Sequence, residues 1–268
     1  MRKLELQEVK KIELEILIEF CAFCKNNNLR FYLAGGTLLG AIRHHGFIPW
    51  DDDIDVCMPR PDYKKLLRLF PEESRYTLGI KELGNFNAPF AKIVDNRTEI
   101  DTKYVDTSDE KHLWIDIFPV DGLPDDIEEV KSIYSRCNFW RRAYMLTVAK
   151  LGEGKNIIKK YAKFIFQPIV RFYGASRCIA KIEKIAAQYK YEDSNYVGIV
   201  TWGLYGVGER MLKSEFEQDV EVEFEGHKFP AFSCWDSYLK GLYGDYMKLP
   251  PIEKRKTHDM VAYVIDEK

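Results

Sequence analysis

Asp51, Asp52, Asp53 and Asp55 crowd into five residues of an otherwise apolar stretch, Leu33 to Met58. Carboxylates packed this closely repel one another and lose hydration on burial, so they require a partner of opposite charge. Oxygen donors of this kind suit a hard divalent ion such as magnesium or manganese. About 16 residues before them, Gly35-Gly36-Thr37 follows a short apolar run. Backbone amides of such a turn can hold a phosphate that the ion also touches. Divalent ion plus phosphate predicts a nucleotide-using transferase.

In an extended segment alternate side chains share a face, so Asp51, Asp53 and Asp55 point one way while Ile54 and Val56 enter the core, which sets Asp52 aside. A third carboxylate from a neighbouring strand would complete the set. Asp116, alone among apolar neighbours in Trp114-Ile115-Asp116-Ile117-Phe118, is the candidate. A calcium loop is the competing reading of positions 51, 53 and 55. It fails because Val56 stands where the loop needs glycine and Asp62 where it needs the closing glutamate. A solvated acidic turn is the plainest alternative, and the apolar flanks argue against it.

These residues need a scaffold of mixed class, α+β or α/β. Apolar side chains at helical spacing, with charges between them, predict a helix over 4–25, ended by Asn26-Asn27-Asn28. A strand is expected at 30–34, a short helix from Thr37 to Arg43, and a strand through Asp53-Ile54-Asp55-Val56 stopped by Pro59 and Pro61. Asp62 to Phe70 reads as helix, 90–94 and 97–101 as a hairpin, and Leu113 to Phe118 as a strand. Helical patterns dominate 125–190. Glu221 to Phe232 reads as a hairpin turning at Glu225-Gly226, and Ser233 with Asp236 resembles a capping box opening a last helix. No internal repeat or low-complexity linker appears, so 1–268 is read as a single catalytic domain carrying a mainly helical, basic insertion at 125–215.

The chain has 268 residues, 46% of them hydrophobic, enough for a full core. Forty basic against 42 acidic side chains leave a formal charge of −2, which predicts no nucleic-acid partner. The charge is uneven. From Arg136 to Lys190 there are 13 Lys/Arg and two acids, Glu153 and Glu183. Six cysteines show no paired framework, and Cys21-x-x-Cys24 lies in a helical pattern without a second pair, so apolar packing is expected. With no signal peptide at the N-terminus, a reducing cytoplasm is the expected compartment.

At this level of detail the run GGTLLGAIRHHGFIPWDDDIDV resembles the signature of the LicD family of phosphocholine transferases, whose distant relatives include the fukutin-related sugar-phosphate transferases. Ala91-Lys92-Ile93, Trp114 to Pro119 with Asp121-Gly122, Tyr243 to Met247, Pro250-Pro251 and Glu253-Lys254-Arg255 extend the likeness. The resemblance implies a nucleotidyltransferase-like fold, an α+β mixed sheet flanked by helices. The family's glycine turn, Asp-x-Asp strand and third acid fall on Gly35, Gly36, Asp53, Asp55 and Asp116. It further implies transfer of phosphocholine from CDP-choline to a sugar hydroxyl of a cell-surface glycan precursor, of teichoic acid or lipopolysaccharide type, with release of CMP. Asp53, Asp55 and Asp116 would hold magnesium or manganese, and Asp116 could accept the hydroxyl proton. Gly35, Gly36, Thr37, Arg43 and Lys92 are the expected phosphate contacts.

Choline is a quaternary ammonium recognised mainly by aromatic faces. Trp50, beside the aspartates, is the favoured aromatic; Tyr104, Trp114, Trp202, Tyr205 and Trp235 are unranked alternatives. His44 and His45 are read as loop histidines without a catalytic role, and His258 as a residue without an assignable one. The basic segment 155–190 interleaves Phe164, Ile169, Phe172 and other apolar residues with lysines and arginines. Lys163 and Arg171 exclude a spanning helix. Peripheral contact with an anionic membrane, where lipid-linked acceptors lie, competes with ordinary helix packing. Two further function classes stand beside the phosphocholine transferase: a nucleotidyl or sugar-phosphate transferase with another CDP-linked donor, and a non-catalytic membrane-associated partner.

Overall fold

The computed structural model describes residues 1–71, 74–102, 111–150, 157–255 and 260–265. After a short strand, β1 (Arg2–Lys3), the predicted first helix α1 (Leu6–Asn26) buries Val9, Ile16, Leu17, Phe20 and Cys24. Cys24 thus packs as an apolar residue, and no cysteine is paired. β2 (Tyr32–Leu33) leads into α2 (Gly35–His44), so the two glycines form the helix's first turn. β3 (Asp55–Pro59) starts two residues later than expected, leaving Asp53 in the preceding loop. It runs through Pro59, and Pro61 sits in the first turn of α3 (Arg60–Leu69), where proline is tolerated.

β4 (Tyr76–Gly79), β5 (Ala91–Asp95), β6 (Thr98–Thr102) and β7 (Trp114–Leu123) follow. The expected hairpin between the segments at 91 and 98 does not form. β5 already has β4 on one edge and β7 on the other, so β6 has no edge to join and pairs elsewhere. The helical middle is α4 (Ile127–Val148), α5 (Ile157–Tyr173) and α6 (Ala175–Ala186), with Gly174 at φ +97 between the last two. Then come β8 (Tyr196–Ile199), β9 (Met211–Leu212), α7 (Lys213–Phe216), β10 (Asp219–Phe224), β11 (His227–Phe232), α8 (Trp235–Tyr243) and β12 (Met260–Val264). The hairpin at Glu225-Gly226 forms as expected. Both turn residues take positive φ, +51 and +75, the two-residue turn whose twist matches the strands. The capping box at Ser233 does not form: the Ser233 hydroxyl donates to the Glu215 carbonyl, and Asp236 accepts from Lys240 and Tyr246.

The main sheet runs β2-β3-β7-β5-β4, with β8 and β9 continuing from the far half of β7. β3 and β7 are parallel; the other pairings in that sheet are antiparallel. The fold is therefore α+β, a mixed sheet flanked by helices, as expected. β1, β12 and β6 make a separate three-stranded sheet. α4 and α6 enclose their own buried cluster, including Val130, Ile133, Cys137, Ile179 and Ile182, and Trp202 packs against both this cluster and the main core.

A buried ion pair joins three elements. Arg60 of α3 donates twice to Asp121 of β7, at 2.6 and 2.8 Å, and once to Glu183 of α6, at 2.9 Å. Asp121 and Arg60 are almost wholly enclosed. A Cβ at the neighbouring Gly122 would lie 2.4 Å from the Ser194 hydroxyl, so the segment before β8 packs directly on the backbone there.

Candidate active site

Strand register assembles the predicted residues. Asp55 on β3 is paired with Asp116 on β7, and Asp116 with Lys92 on β5. Directly paired residues project from the same face of a sheet, so these three side chains share one face. Lys92 Nζ lies 2.9 Å from Asp116 Oδ1 and 4.5 Å above the Trp114 ring. The Asp55 N–H donates to Thr37 Oγ1 at 2.8 Å, and the Ala34 N–H donates to the Asp55 carbonyl at 3.0 Å. Thr37, expected beside phosphate, thus ties the helix to the strand.

The glycines are required by this closeness. Gly35 takes φ +51, and a Cβ there would lie 3.0 Å from Asp55 Oδ2; one on Gly36 would lie 2.9 Å from Asp51 Oδ2. The carboxylates therefore rest against the N-terminal turn of α2, whose dipole favours negative charge. The loop carrying them is clamped from outside. Glu225, at the tip of the β10–β11 hairpin, accepts from the Phe47 N–H at 2.9 Å, and Lys10 of α1 donates to the Ile48 carbonyl at 3.2 Å.

Asp52, which strand alternation sets aside, is drawn into the cluster. Among the described residues, Asp51, Asp52 and Asp53 are the group of three or more acidic side chains whose donor atoms all lie within 4.8 Å of one another. The loop conformation before β3 breaks the alternation, so Asp52 and Asp53 no longer face apart. Glu13 of α1 adds a carboxyl that no sequence pattern isolates. It is 1% exposed, neither oxygen has a hydrogen-bond partner, and burial together with Asp53, Asp52, Asp116 and Asp51 holds its pKa well above the ordinary value. Burial also lowers the pKa of Lys10, against the pull of Asp51, Glu225, Asp52 and Glu13. The five aspartates against Lys10 and Lys92 leave an excess of negative charge, and with Glu13 the donors are all oxygen. That donor set fits a hard divalent cation.

Gly35, Gly36, Asp51, Asp53 and Asp55 line a cavity of about 210 Å³. Much of its remaining wall comes from the β8–β9 connection and α8, through Trp202, Tyr205, Glu209, Tyr238 and Tyr243, with Phe118 of β7 and Ile199 of β8 beside them. These two segments approach backbone to backbone through two glycines. A Cβ on Gly208 would lie 2.3 Å from the Gly241 carbonyl oxygen, and one on Gly241 2.5 Å from that of Gly208. Nothing local in the sequence marks Glu209 or Tyr238, so distant from the aspartates, and Tyr243 enters only through the family resemblance, without a role.

Other candidates fall outside this cavity lining. Arg43, in the last turn of α2, donates to the Tyr246 carbonyl at 2.6 Å and to His44 at 2.9 Å. Trp50 is covered by the Arg255 guanidinium, 4.4 Å from its ring centre. Asp116 and Lys92 stand beside Asp55 on the same face of the sheet, next to the lining residues. Tyr104 and His258 lie outside the described residues.

Glu209 is 3% exposed, and burial pushes its pKa up to about 8 against hydrogen bonds from the Tyr205 and Leu204 backbone and the Tyr238 hydroxyl. A carboxyl whose folded pKa is raised contributes its stability below the unfolded value, and that contribution is lost as pH climbs through the folded value. Wild type is therefore expected to lose stability relative to Glu209→Gln between about pH 4.5 and 8. Urea denaturation should show the two close at pH 5, with the variant ahead by about 4–5 kcal/mol at pH 8.5.

The comparisons with known proteins converge on one family. Residues 28–147 match the family described as LicD/FKTN/FKRP, nucleotidyltransferase domain. Over 99% of this chain, and all of the relative, the sequence is 34% identical to the lipopolysaccharide cholinephosphotransferase LicD of Haemophilus influenzae. The chain belongs to the LicD family. It is a transferase with a nucleotidyltransferase-type core, and the matched segment holds the glycine turn, Asp51, Asp52, Asp53, Asp55, Lys92 and Asp116. A LicD-family likeness at shorter range is to human ribitol 5-phosphate transferase FKRP, 31% identical over 34% of this chain and 17% of that protein. The wall formed by Trp202, Tyr205, Glu209, Tyr238 and Tyr243 lies beyond the family match but within the full-length alignment to the Haemophilus LicD.

Proposed function

We propose that this protein transfers phosphocholine from CDP-choline to a sugar hydroxyl of a cell-surface glycan precursor, of lipopolysaccharide or teichoic acid type, releasing CMP. The observation that carries the reading is identity along the whole length to a lipopolysaccharide cholinephosphotransferase. The geometry agrees with it: the glycine turn and three aspartates line one cavity. In the reaction the sugar oxygen bonds to the phosphorus that bears choline, the bond from that phosphorus to the bridging oxygen breaks, and CMP leaves with the electron pair. Magnesium or manganese, held by Asp53, Asp55 and Asp116, would neutralise charge building on the departing phosphate. The amides at the start of α2 bind phosphate oxygens and orient the donor. Asp116, kept in place by Lys92, accepts the proton of the sugar hydroxyl, and Lys92 offers a second positive charge to the phosphates.

The likeness to ribitol 5-phosphate transferase FKRP supports a second reading, transfer from another CDP-linked donor. Thermal shifts with CDP-choline, CDP-ribitol and CTP, each with magnesium, separate the two. The first reading predicts the largest stabilisation by CDP-choline, and a larger effect of CDP-ribitol would replace it.

A lipid-linked acceptor would require approach to a membrane surface. Among the described residues no helix is long and apolar enough to cross one. α5 instead leaves Phe164, Phe166, Ile169 and Phe172 exposed, Phe172 at 90%, within the basic stretch of the chain. We infer that this helix rests on anionic lipid, its apolar side chains entering the headgroup region. Sedimentation with phosphatidylglycerol vesicles at low salt should pull down the wild type, and Phe172→Glu should cut the bound fraction several-fold. Equal recovery of the two proteins removes the membrane contact.

A further inference from the structure

We propose that the pocket walled by Trp202, Tyr205, Tyr238 and Tyr243, with Glu209 at its base, seats the quaternary ammonium of the donor. The assignment rests on the phosphocholine reading above and adds to it the residues that recognise the transferred group.

Four observations point there. First, the aromatic wall and the aspartates that face phosphate line the same cavity, as a donor with phosphate and ammonium separated by a two-carbon arm demands. The Tyr238 hydroxyl touches both parts: it accepts from the Gly35 N–H at 3.4 Å and lies against Glu209. Second, Glu209 is buried, lines the cavity, and its Oε2 has no hydrogen-bond partner. A carboxylate in that position is stabilised by a cation that enters with the ligand. Third, the tyrosine hydroxyls are already engaged. Those of Tyr205 and Tyr243 bond to each other, and their rings meet edge to face with centroids 5.2 Å apart. Ring surface with few spare polar groups suits a cation that has no N–H to donate, because aromatic faces attract it without requiring hydrogen bonds. Fourth, Trp50, the aromatic closest in sequence to the aspartates, is covered by Arg255 and does not line the cavity.

A primary ammonium would fit this site less well. It brings three N–H groups, and Glu209 Oε2 is the one unpartnered acceptor among these five wall residues. The pocket therefore discriminates choline from ethanolamine.

The test is equilibrium binding of CDP-choline, CDP-ethanolamine and CDP to the full chain with magnesium, for wild type, Tyr205→Leu and Glu209→Gln. Tyr205 is 44% exposed, so its replacement leaves the core intact. Glu209→Gln keeps the side-chain shape. Wild type should prefer CDP-choline over both other ligands by about tenfold or more. Both variants should bring that preference to within about threefold while binding CDP as wild type does. Wild type binding CDP-choline no more tightly than CDP overturns the pocket. Variants that keep the full preference, in a protein that still transfers phosphocholine, overturn the pocket and leave the function standing. Tight binding of CDP-ribitol with none of CDP-choline overturns the function itself, and the pocket with it.

Discussion

Asp55→Asn should reduce CMP release from CDP-choline by at least about a thousandfold while the protein stays folded. Two features separate the chemical loss from a structural one. The Asp55 backbone is held independently of its side chain, by its N–H to Thr37 and its carbonyl to the Ala34 N–H. Asparagine matches the carboxylate in shape, so the close contact with Gly35 is kept. What disappears is one negative charge among donors that would hold a divalent ion. A neutral amide oxygen is a much weaker ligand for magnesium, and loss of charge stabilisation on a transferring phosphoryl group costs several kcal/mol of barrier. CMP release followed by chromatography, alongside a thermal melt, checks both halves. Because like charges crowd here, the melt should be unchanged or slightly higher without added metal. Full turnover by the variant would remove the carboxylates from the chemistry. Gly35→Ala should fail similarly by a different route: φ +51 strains alanine, and its Cβ meets the Asp55 carboxylate at 3.0 Å.

How much of this site the sequence discloses follows from the range over which each residue acts. The glycine turn and the aspartates are local features, a few residues apart in an apolar background, and their chemistry can be argued without a fold. Asp116 is legible because an isolated carboxylate inside a strand pattern needs a reason to be there. The match between Asp55, Asp116 and Lys92 depends on strand register, which local patterns do not specify. Glu13 is hidden for a different reason. In a helix with charges between its apolar positions it reads as one more solvated residue, yet the loop of aspartates folds back over it and buries it. Asp52 is misjudged because alternation holds only within a strand, and β3 begins at Asp55. Trp50 does not line the cavity, because closeness in sequence is a poor guide to which aromatic faces it. The rings that do so, Tyr205, Tyr238 and Tyr243, arrive from 150 or more residues further along the chain, through the contact of Gly208 with Gly241. At the level of elements, α1 and the Glu225-Gly226 hairpin are readable from periodicity and turn chemistry. The failed pairing of β5 with β6 is a competition for edges that only the assembled sheet decides.

Asp121→Ala should be the most destabilising single substitution outside the cavity, by about 3–5 kcal/mol, with activity per folded molecule retained. Asp121 shares the strand of Asp116 and belongs to the run of residues that resembles the family pattern, so a catalytic role would be the natural guess. Its surroundings argue for a structural one. The side chain is 1% exposed, accepts a two-pronged bond from Arg60, and is not among the residues lining the cavity. Removing it leaves the Arg60 guanidinium buried with Glu183 alone, a partly exposed partner on α6. The cost of an uncompensated buried charge far exceeds the net worth of the intact pair, which is repaid mostly as desolvation. That asymmetry provides a second readout. Replacing both partners by apolar residues of similar size, as in Arg60→Met with Asp121→Leu, should recover much of the lost stability, because no lone charge remains. Urea denaturation of the single and double variants measures the coupling directly. A single variant within about 1 kcal/mol of wild type but inactive would place Asp121 in the chemistry. The expected result makes it the pin that holds α3 and α6 to the strand on which Asp116 is mounted.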